Sequence, residues 1–220
     1  MNPTICIRYA LTLLCVGALL TAAAQDEFAA LVIEPLPGGS AVYDIDTGYT
    51  TLADGGVIRD RESDLSITGS FIRYQEDTFI QVSGAVADGP FGDLEAAQLY
   101  YDRVSETIRA SDGVSFGTGN IAMSSQELFL YLSENIALAQ GEVEGSMPPL
   151  SGQALVVDID EQDALLVGPY SYQDGPVTLS SDSAGELLAF AWQQVGEEVD
   201  FEVRSVVPAE LRTRLEPYIP

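Results

Sequence analysis

A segment of fifteen residues recurs five times along this chain, opening at Ala41, Ser70, Gln98, Glu127 and Ala154. Each copy begins with an apolar run, passes through a polar or acidic middle, and returns through a second apolar stretch. The second residues are Val42, Phe71, Leu99, Leu128 and Leu155, spaced 29, 28, 29 and 27 residues apart. A glycine closes or follows each copy: Gly55, Gly84, Gly113, Gly141 and Gly168. A repeat of this length holds two strands of ordinary size and two turns, so each unit reads as one hairpin. The middles, Asp46-Thr47-Gly48, Gln75-Glu76-Asp77, Ser105-Glu106, Ser133-Glu134-Asn135 and Glu161-Gln162-Asp163, are rich in turn-forming residues. The flanks are dominated by Val, Ile, Tyr, Phe and Leu, with an alternation nearer two than 3.6. No helix is expected between residues 38 and 180.

The alternation assigns faces. Leu99 and Tyr101, Leu128 and Leu130, and Leu155 and Val157 share one phase. The returning strands add Ile80 and Val82, Ile108 and Ala110, and Ala137 and Ala139. The opposite phase is mixed: Ile72, Tyr74, Tyr100, Phe129 and Tyr131 are apolar or aromatic, whereas Asp102 and Asp158 are charged. Stacked hairpins with one continuous apolar face must bury that face. They do so by folding over as a jelly roll with a filled core, or by holding an apolar ligand between the two halves. Filling is the commoner outcome for inward apolar residues.

The ends differ from the repeat. Met1 to Ala24 combines Arg8, a short apolar run from Ala10 to Leu20, and Ala22-Ala23-Ala24 before Gln25, the pattern of a cleaved secretory signal. An uncleaved signal anchor in the inner membrane is the competing reading. Cys15 is preceded by Leu14 where a lipoprotein signal wants a small residue, so lipidation is rejected. Residues 25–37 form a leader, 38–205 the repeat-built roll, and 206–220 the tail. Glu186 to Trp192 and Val199 to Val203 read as a last hairpin around Gly196. Pro208 to Leu215 reads as a short helix, with Glu210 near its positive end and Arg212 and Arg214 near its negative end. Leu211 and Leu215 lie one turn apart. A cap over the open end of the sheet is the reading favoured for this helix, with docking as the alternative.

Composition excludes several chemistries. The chain has no His, and both cysteines, Cys6 and Cys15, lie in the signal. A Cys/His zinc site, a His-based triad, a thiol nucleophile and a disulfide are all ruled out for the exported protein. Beyond Ala24 there are 34 acids against 8 arginines and no lysine, a net charge of −26. Such a surface does not bind nucleic acid, which demands a basic footprint. Asp158-Ile-Asp160-Glu-Gln-Asp163 and Asp44-Ile-Asp46 resemble the opening of a calcium loop. They lack its glycine and terminal glutamate, and hairpin turns account for them. Neither a G-x-S-x-G elbow nor a phosphate loop in its strand-to-helix context is present. No catalytic residue, metal or cofactor is expected.

The units resemble the OstA-like repeat of periplasmic lipopolysaccharide-transport proteins of the LptA and LptC type. The match is carried by Leu94-Glu-Ala96-Ala-Gln-Leu99-Tyr-Tyr101-Asp102, followed by Thr107-Ile-Arg-Ala-Ser-Asp-Gly113-Val114. Ser124 to Tyr131, Ser151 to Asp158, and Tyr43-Asp44 with Ala53-Asp-Gly-Gly-Val57 echo it. The resemblance covers residues 40 to 170. It implies an all-β, taco-like jelly roll of stacked hairpins with an apolar interior that carries acyl chains. It also implies open edge strands that join neighbouring envelope transport proteins, or further copies of the chain, by strand pairing. On that reading the protein is a periplasmic lipid carrier or bridge segment, and its partner is lipopolysaccharide or another acylated envelope lipid. The groove would be lined by Ile80, Val82, Leu99, Tyr101, Ile108, Leu128, Leu130, Leu155 and Val157. The chain departs from what a phosphorylated cargo wants. Arg59, Arg61, Arg73, Arg103 and Arg109 lie in the repeat region and could form a small cluster, and the rest of the surface repels anions unless divalent cations bridge. The alternative is a structural or adhesive β-repeat module of the envelope with a filled core and no lipid.

Overall fold

The computed structural model describes residues 31–195 and 198–220. The signal, its cleavage site at Ala24, residues 25–30 and the turn at Gly196 lie outside the described residues. The first strand among the described residues is β1 (Leu31–Pro35), inside the stretch read from the sequence as a leader. Short strands follow: β2 (Ala41–Asp44), β3 (Tyr49–Leu52), β4 (Gly56–Asp60), β5 (Leu65–Gly69) and β6 (Phe71–Gln75). Six long strands form the middle: β7 (Phe79–Gly89), β8 (Gly92–Asp102), β9 (Thr107–Gly117), β10 (Ala122–Tyr131), β11 (Ile136–Met147) and β12 (Pro149–Asp158). The chain ends with β13 (Asp163–Val167), β14 (Tyr170–Asp174), β15 (Val177–Ser181), β16 (Leu187–Val195), β17 (Glu198–Arg204), helix α1 (Ala209–Leu215) and a 3-10 turn.

All pairing is antiparallel, and each long strand serves two half-sheets. The first half of β7 pairs with β6, from Gln75 opposite Phe79 to Phe71 opposite Ser83. Its second half pairs with β5, with Ser66 opposite Asp88 and Thr68 opposite Val86. At the far side β12 does the same, pairing with β13 through residues 154–158 and with β14 through Leu150 and Ser151. The result is a jelly roll folded like a taco, with a corner running across the middle of every long strand.

The recurrent glycines sit at this corner. The sequence placed them at the end of a unit, but the chain runs through them without turning back. In β9 and β11 the corner carries one residue more than in the neighbouring strands. It is built from two consecutive positive-φ residues, Asp112 (φ 65) with Gly113 (φ 86), and Gly141 (φ 78) with Glu142 (φ 53). The register shifts in β8 between Glu95 and Gln98, and in β10 between Ser124 and Glu127, face these bulges. A bulge adds twist and bend locally, which turns each strand from one half-sheet into the other. At Gly55 (φ 84) the corner is also tight: a Cβ there would lie 2.4 Å from the Gly69 carbonyl oxygen.

The five polar middles are hairpin turns, as their residues predict. Each contains one positive-φ residue: Gly48, Glu106, Asn135 and Gln162 immediately before the returning strand, and Asp77 in the shorter β6–β7 turn. The aspartate ending the preceding strand caps several of them. Asp44 Oδ1 accepts the Asp46 N–H at 2.9 Å, and Asp102 Oδ1 accepts from Val104 N–H at 2.9 Å and Ser105 N–H at 3.2 Å. Asp158 Oδ1 accepts the Glu161 N–H at 3.0 Å.

Inside, side chains line up in rows across the strands. One runs Ile72, Val82, Leu99, Ala110, Leu128, Ala139, Leu155, Leu166 and Leu188 through directly opposite pairs. Large and small residues alternate through its centre, which lets the opposing half-sheet interdigitate. Ile72 is therefore inward and fully buried, and Tyr74, opposite Ile80, faces inward as well. Both correct the outward phase read for them. In the first two units the inward residues are Ala41 with Tyr43 and Ile72 with Tyr74, one position off Val42 and Phe71.

Helix α1 lies elsewhere than expected. It does not cap the sheet end. Leu211 and Leu215 pack on the outer face against Ile136, Leu138, Val156, Leu165 and Val167, forming a second, smaller core. Arg214 fastens it: Nε is 2.6 Å from Asp158 Oδ2, and Nη2 is 2.5 Å from Asp163 Oδ2.

Two glycine substitutions test the corner. Gly55→Ala meets backbone on the far side and must lose about 2–4 kcal/mol of stability. Gly113→Ala has open space within 4 Å and bears only the positive φ, costing about 1 kcal/mol. Urea denaturation of the two variants should rank them in that order.

Candidate functional site

The nine residues proposed from the sequence as groove lining all fall inside the roll. Ile80, Val82, Leu99, Tyr101, Ile108, Leu128, Leu130, Leu155 and Val157 belong to one cluster, and none is more than 4% exposed. They touch one another and the opposing half-sheet, where Ile58, Ile67, Leu94, Phe116 and Leu150 form a matching row. At these positions the interior is filled by the protein's own side chains.

The interior opens at the N-terminal end. There a cavity of about 670 Å³ lies between the two half-sheets. Leu31 and Ile33 of β1 form one wall, and Tyr43, Thr50 and Tyr74 of the other half-sheet face them. Ile80 is at the floor, and it is the one residue of the nine that reaches this space. The cavity exists because the rows run out of strands. β1 and β2 are four or five residues long, and among the described residues each has a single partner, β4 and β3 respectively. Among those residues no further strand lies beyond Tyr43, so the last inward side chains border an open mouth.

The rim is polar. It is made by Gln75, Glu76 and Asp77 in the β6–β7 turn and by Arg103 in the β8–β9 turn. Arg103 Nη1 donates to Asp77 Oδ1 at 3.0 Å, and the arginine side chain is only 18% exposed. Its Nε is buried and has no hydrogen-bond partner. Beneath the rim the Tyr101 hydroxyl is held above its ordinary pKa, first by burial and then by the nearby Asp60 carboxylate. Asp60 is itself inward and buried, with Oδ1 accepting the Glu62 N–H at 3.0 Å.

The five repeat-region arginines do not gather at one place. Arg59 pairs with Glu34, and Arg109 with Glu127 while lying over the Phe129 ring. Arg73 lies over Tyr49 and donates to Gln81 at 2.7 Å. Only Arg103 borders the mouth. The acidic runs considered for calcium are engaged otherwise. The Asp44 carboxyl is held below its usual range by the Asp46 N–H and the Thr47 hydroxyl. Asp158 and Asp163 meet Arg214, and Asp160 accepts from Asn135 Nδ2 at 3.1 Å. Among the described residues no group of three or more carboxylates, thiols or imidazoles is placed to hold a metal. Nor is any helix long and apolar enough to cross a membrane.

Reading the sequence missed Leu31, Ile33, Tyr43, Thr50 and Tyr74. A signal was present for the first two: Leu31-Val-Ile33 is an apolar run bounded by Pro35 and Pro37, which is a strand signature. The mouth itself depends on which strands are last, and that is a property of the assembled roll.

No protein-family model matches this chain, and no curated protein does. Among solved structures the chain is similar to LptH, described as the LptA-homologous periplasmic component of the conserved lipopolysaccharide transport device from Pseudomonas aeruginosa. That likeness has 12% identity and a TM-score of 0.45, and covers 50% of this chain and 82% of that one.

The filled interior and the open mouth differ in what they tolerate. Leu128→Ala, in the fully buried row, should lower unfolding free energy by about 3 kcal/mol. Ile33→Ala, beside the cavity, should cost about 1 kcal/mol. Equal costs in thermal or urea unfolding would mean that the mouth is as tightly packed as the centre.

Proposed function

We propose that this chain is an exported, periplasmic lipid-binding carrier or bridge segment that takes an acyl chain of lipopolysaccharide or a related envelope lipid between its half-sheets. The observation that carries this reading is the cavity at the N-terminal end, floored by Ile80 of the apolar core and walled by Leu31, Ile33 and Tyr74. Each methylene moved from water into such a space is worth about 0.8 kcal/mol, so a dodecanoyl chain gains on the order of 9 kcal/mol before ordering costs. The remaining eight of the nine inward residues would meet a chain that reached past Ile80 as the half-sheets part. The signal-like N-terminus and the resemblance of the repeat units to OstA-like proteins support the location and the role.

Assembly into a bridge would use the sheet edges. Among the described residues both ends of the roll present two strands paired on one side only: β1 and β2 at one end, β15 and β17 at the other. Unpaired backbone N–H and C=O groups at such edges accept a strand from another chain. The two ends differ, so the contact is head to tail and can propagate along a row of transport proteins or further copies.

The second reading, a structural module without lipid, is favoured by the closed packing around Leu99, Leu128 and Leu155. The two readings separate in one experiment. The protein is purified from its native envelope, bound lipid is extracted for mass spectrometry, and a fluorescent acyl probe is titrated. The carrier reading expects a stoichiometric acylated species. It also expects at least a tenfold loss of probe affinity in Ile33→Trp, which fills the cavity with little change in thermal stability. Absence of lipid together with absence of probe binding assigns the chain to the structural module.

A further inference from the structure

From the chemistry of the mouth we infer that the molecule held there carries a zwitterionic, amine-bearing head group and not a polyanionic one. This rests on the carrier reading, because it names the class of lipid that the cavity would accept.

The argument starts from charge. The cavity is bordered by Glu76 and Asp77 on one turn and by Arg103 on the next. One positive and two negative side chains make its border net negative. Around it the exported chain carries 34 acids against 8 arginines. A head group with two phosphates would enter this field against both its local and its overall sign. One anionic group is nevertheless provided for. Arg103 is the sole base at the border, its Nη1 is occupied by Asp77, and its buried Nε is without a partner. The guanidinium is the one group at the border that can meet a single phosphodiester or carboxylate oxygen with a charge-assisted hydrogen bond.

An anion at Arg103 sits next to Glu76 and Asp77, so its charge is tolerated only if it brings a compensating cation. An ammonium a few ångströms along the same head group supplies it. That ammonium also finds Gln75 on the same turn and the hydroxyl-bearing Tyr43, Thr50 and Tyr74 bordering the cavity. The acyl chain lies on Leu31, Ile33 and Ile80, as described above. An anion partner, partners for an ammonium and an apolar floor thus border one cavity, the three features that a zwitterionic glycerophospholipid or an aminoacylated lipid requires.

The test compares two lysolipids with the same dodecanoyl chain below their micelle concentrations. One carries phosphoethanolamine and the other phosphoglycerol, and both compete with a fluorescent acyl probe on the intact protein. The zwitterion should bind about tenfold more tightly, equivalent to about 1.4 kcal/mol, with the gap narrowing as salt is raised. Glu76→Gln should remove most of the preference, weakening binding of the phosphoethanolamine lipid and strengthening that of the phosphoglycerol lipid when each is compared with the unsubstituted protein. Equal or tighter binding of the phosphoglycerol lipid overturns the head-group inference and leaves the carrier reading standing. So does unchanged lysolipid binding in Ile33→Trp, which would place the site elsewhere in the roll. Failure of every acyl probe overturns the carrier reading itself.

Discussion

The structure depends on one geometric requirement: each long strand must bury an apolar face in two half-sheets that meet at an angle. A flat strand with a period of two cannot do this without a break in its pattern. The chain solves the problem with an uneven count at the corner. The inward side chains across it are three positions apart in β8 and β10, Ala96 and Leu99 or Ser125 and Leu128. They are four positions apart in β9 and β11, Ala110 and Val114 or Ala139 and Val143. The extra residue is accommodated by paired left-handed conformations, at Asp112-Gly113 and Gly141-Glu142. The rows of core residues, the taco shape and the cavity at its end all follow from strands that bend at matched heights.

Much of this was legible in the chain. The five turns and the inward phase of Leu99, Leu128 and Leu155 could be read because polar middles and apolar alternation coincide there. The phase failed in the first two units for a physical reason. Val42 and Phe71 are apolar but point outward, and alternation cannot rank two apolar residues that sit side by side. The outward apolar residues Phe129 and Tyr131 were equally ambiguous. The structure explains them through the tail: Tyr131 packs on Tyr218 with ring centres 5.0 Å apart, and Phe129 borders the core under helix α1. A partner distant in sequence accounts for the apolar outer face, so no local pattern could have revealed it.

The acidity of the chain has a structural share and a solvated share. Asp44, Asp102 and Asp158 cap hairpin turns, and Asp158 and Asp163 hold helix α1 through Arg214. These positions explain why acidic residues recur in step with the repeat. Others are exposed and leave the two ends of the roll unlike each other. Strand β17 shows Asp200 and Glu202 to solvent, whereas β2 shows Val42 and Tyr43, 62% and 64% exposed. Charge on an edge discourages indiscriminate pairing, and an apolar edge invites it. The N-terminal end therefore has exposed apolar side chains on an edge strand beside the open interior.

That coincidence bears on how a ligand could enter a roll whose centre is closed. Parting the half-sheets at Leu128 would separate two long, fully paired strands on either side and disrupt an interdigitated row. At the N-terminal end the opposing strands are β1 and β2, short and each bonded along one edge. Local opening free energy falls where buried contacts and shared hydrogen bonds are few. The end that lacks covering strands is thus both the place where a cavity already exists and the place where widening it costs least. A chain entering there would replace missing protein neighbours of Ile33, Tyr74 and Ile80 with its own methylenes. Deeper entry would have to displace side chains that already fill the space. Among the described residues the same shortage of strands leaves the sheet edge unpaired and the interior open beside it. Occupancy of the mouth and strand addition at β1 or β2 therefore draw on neighbouring surfaces, and a strand added to either edge would lengthen the wall around the ligand.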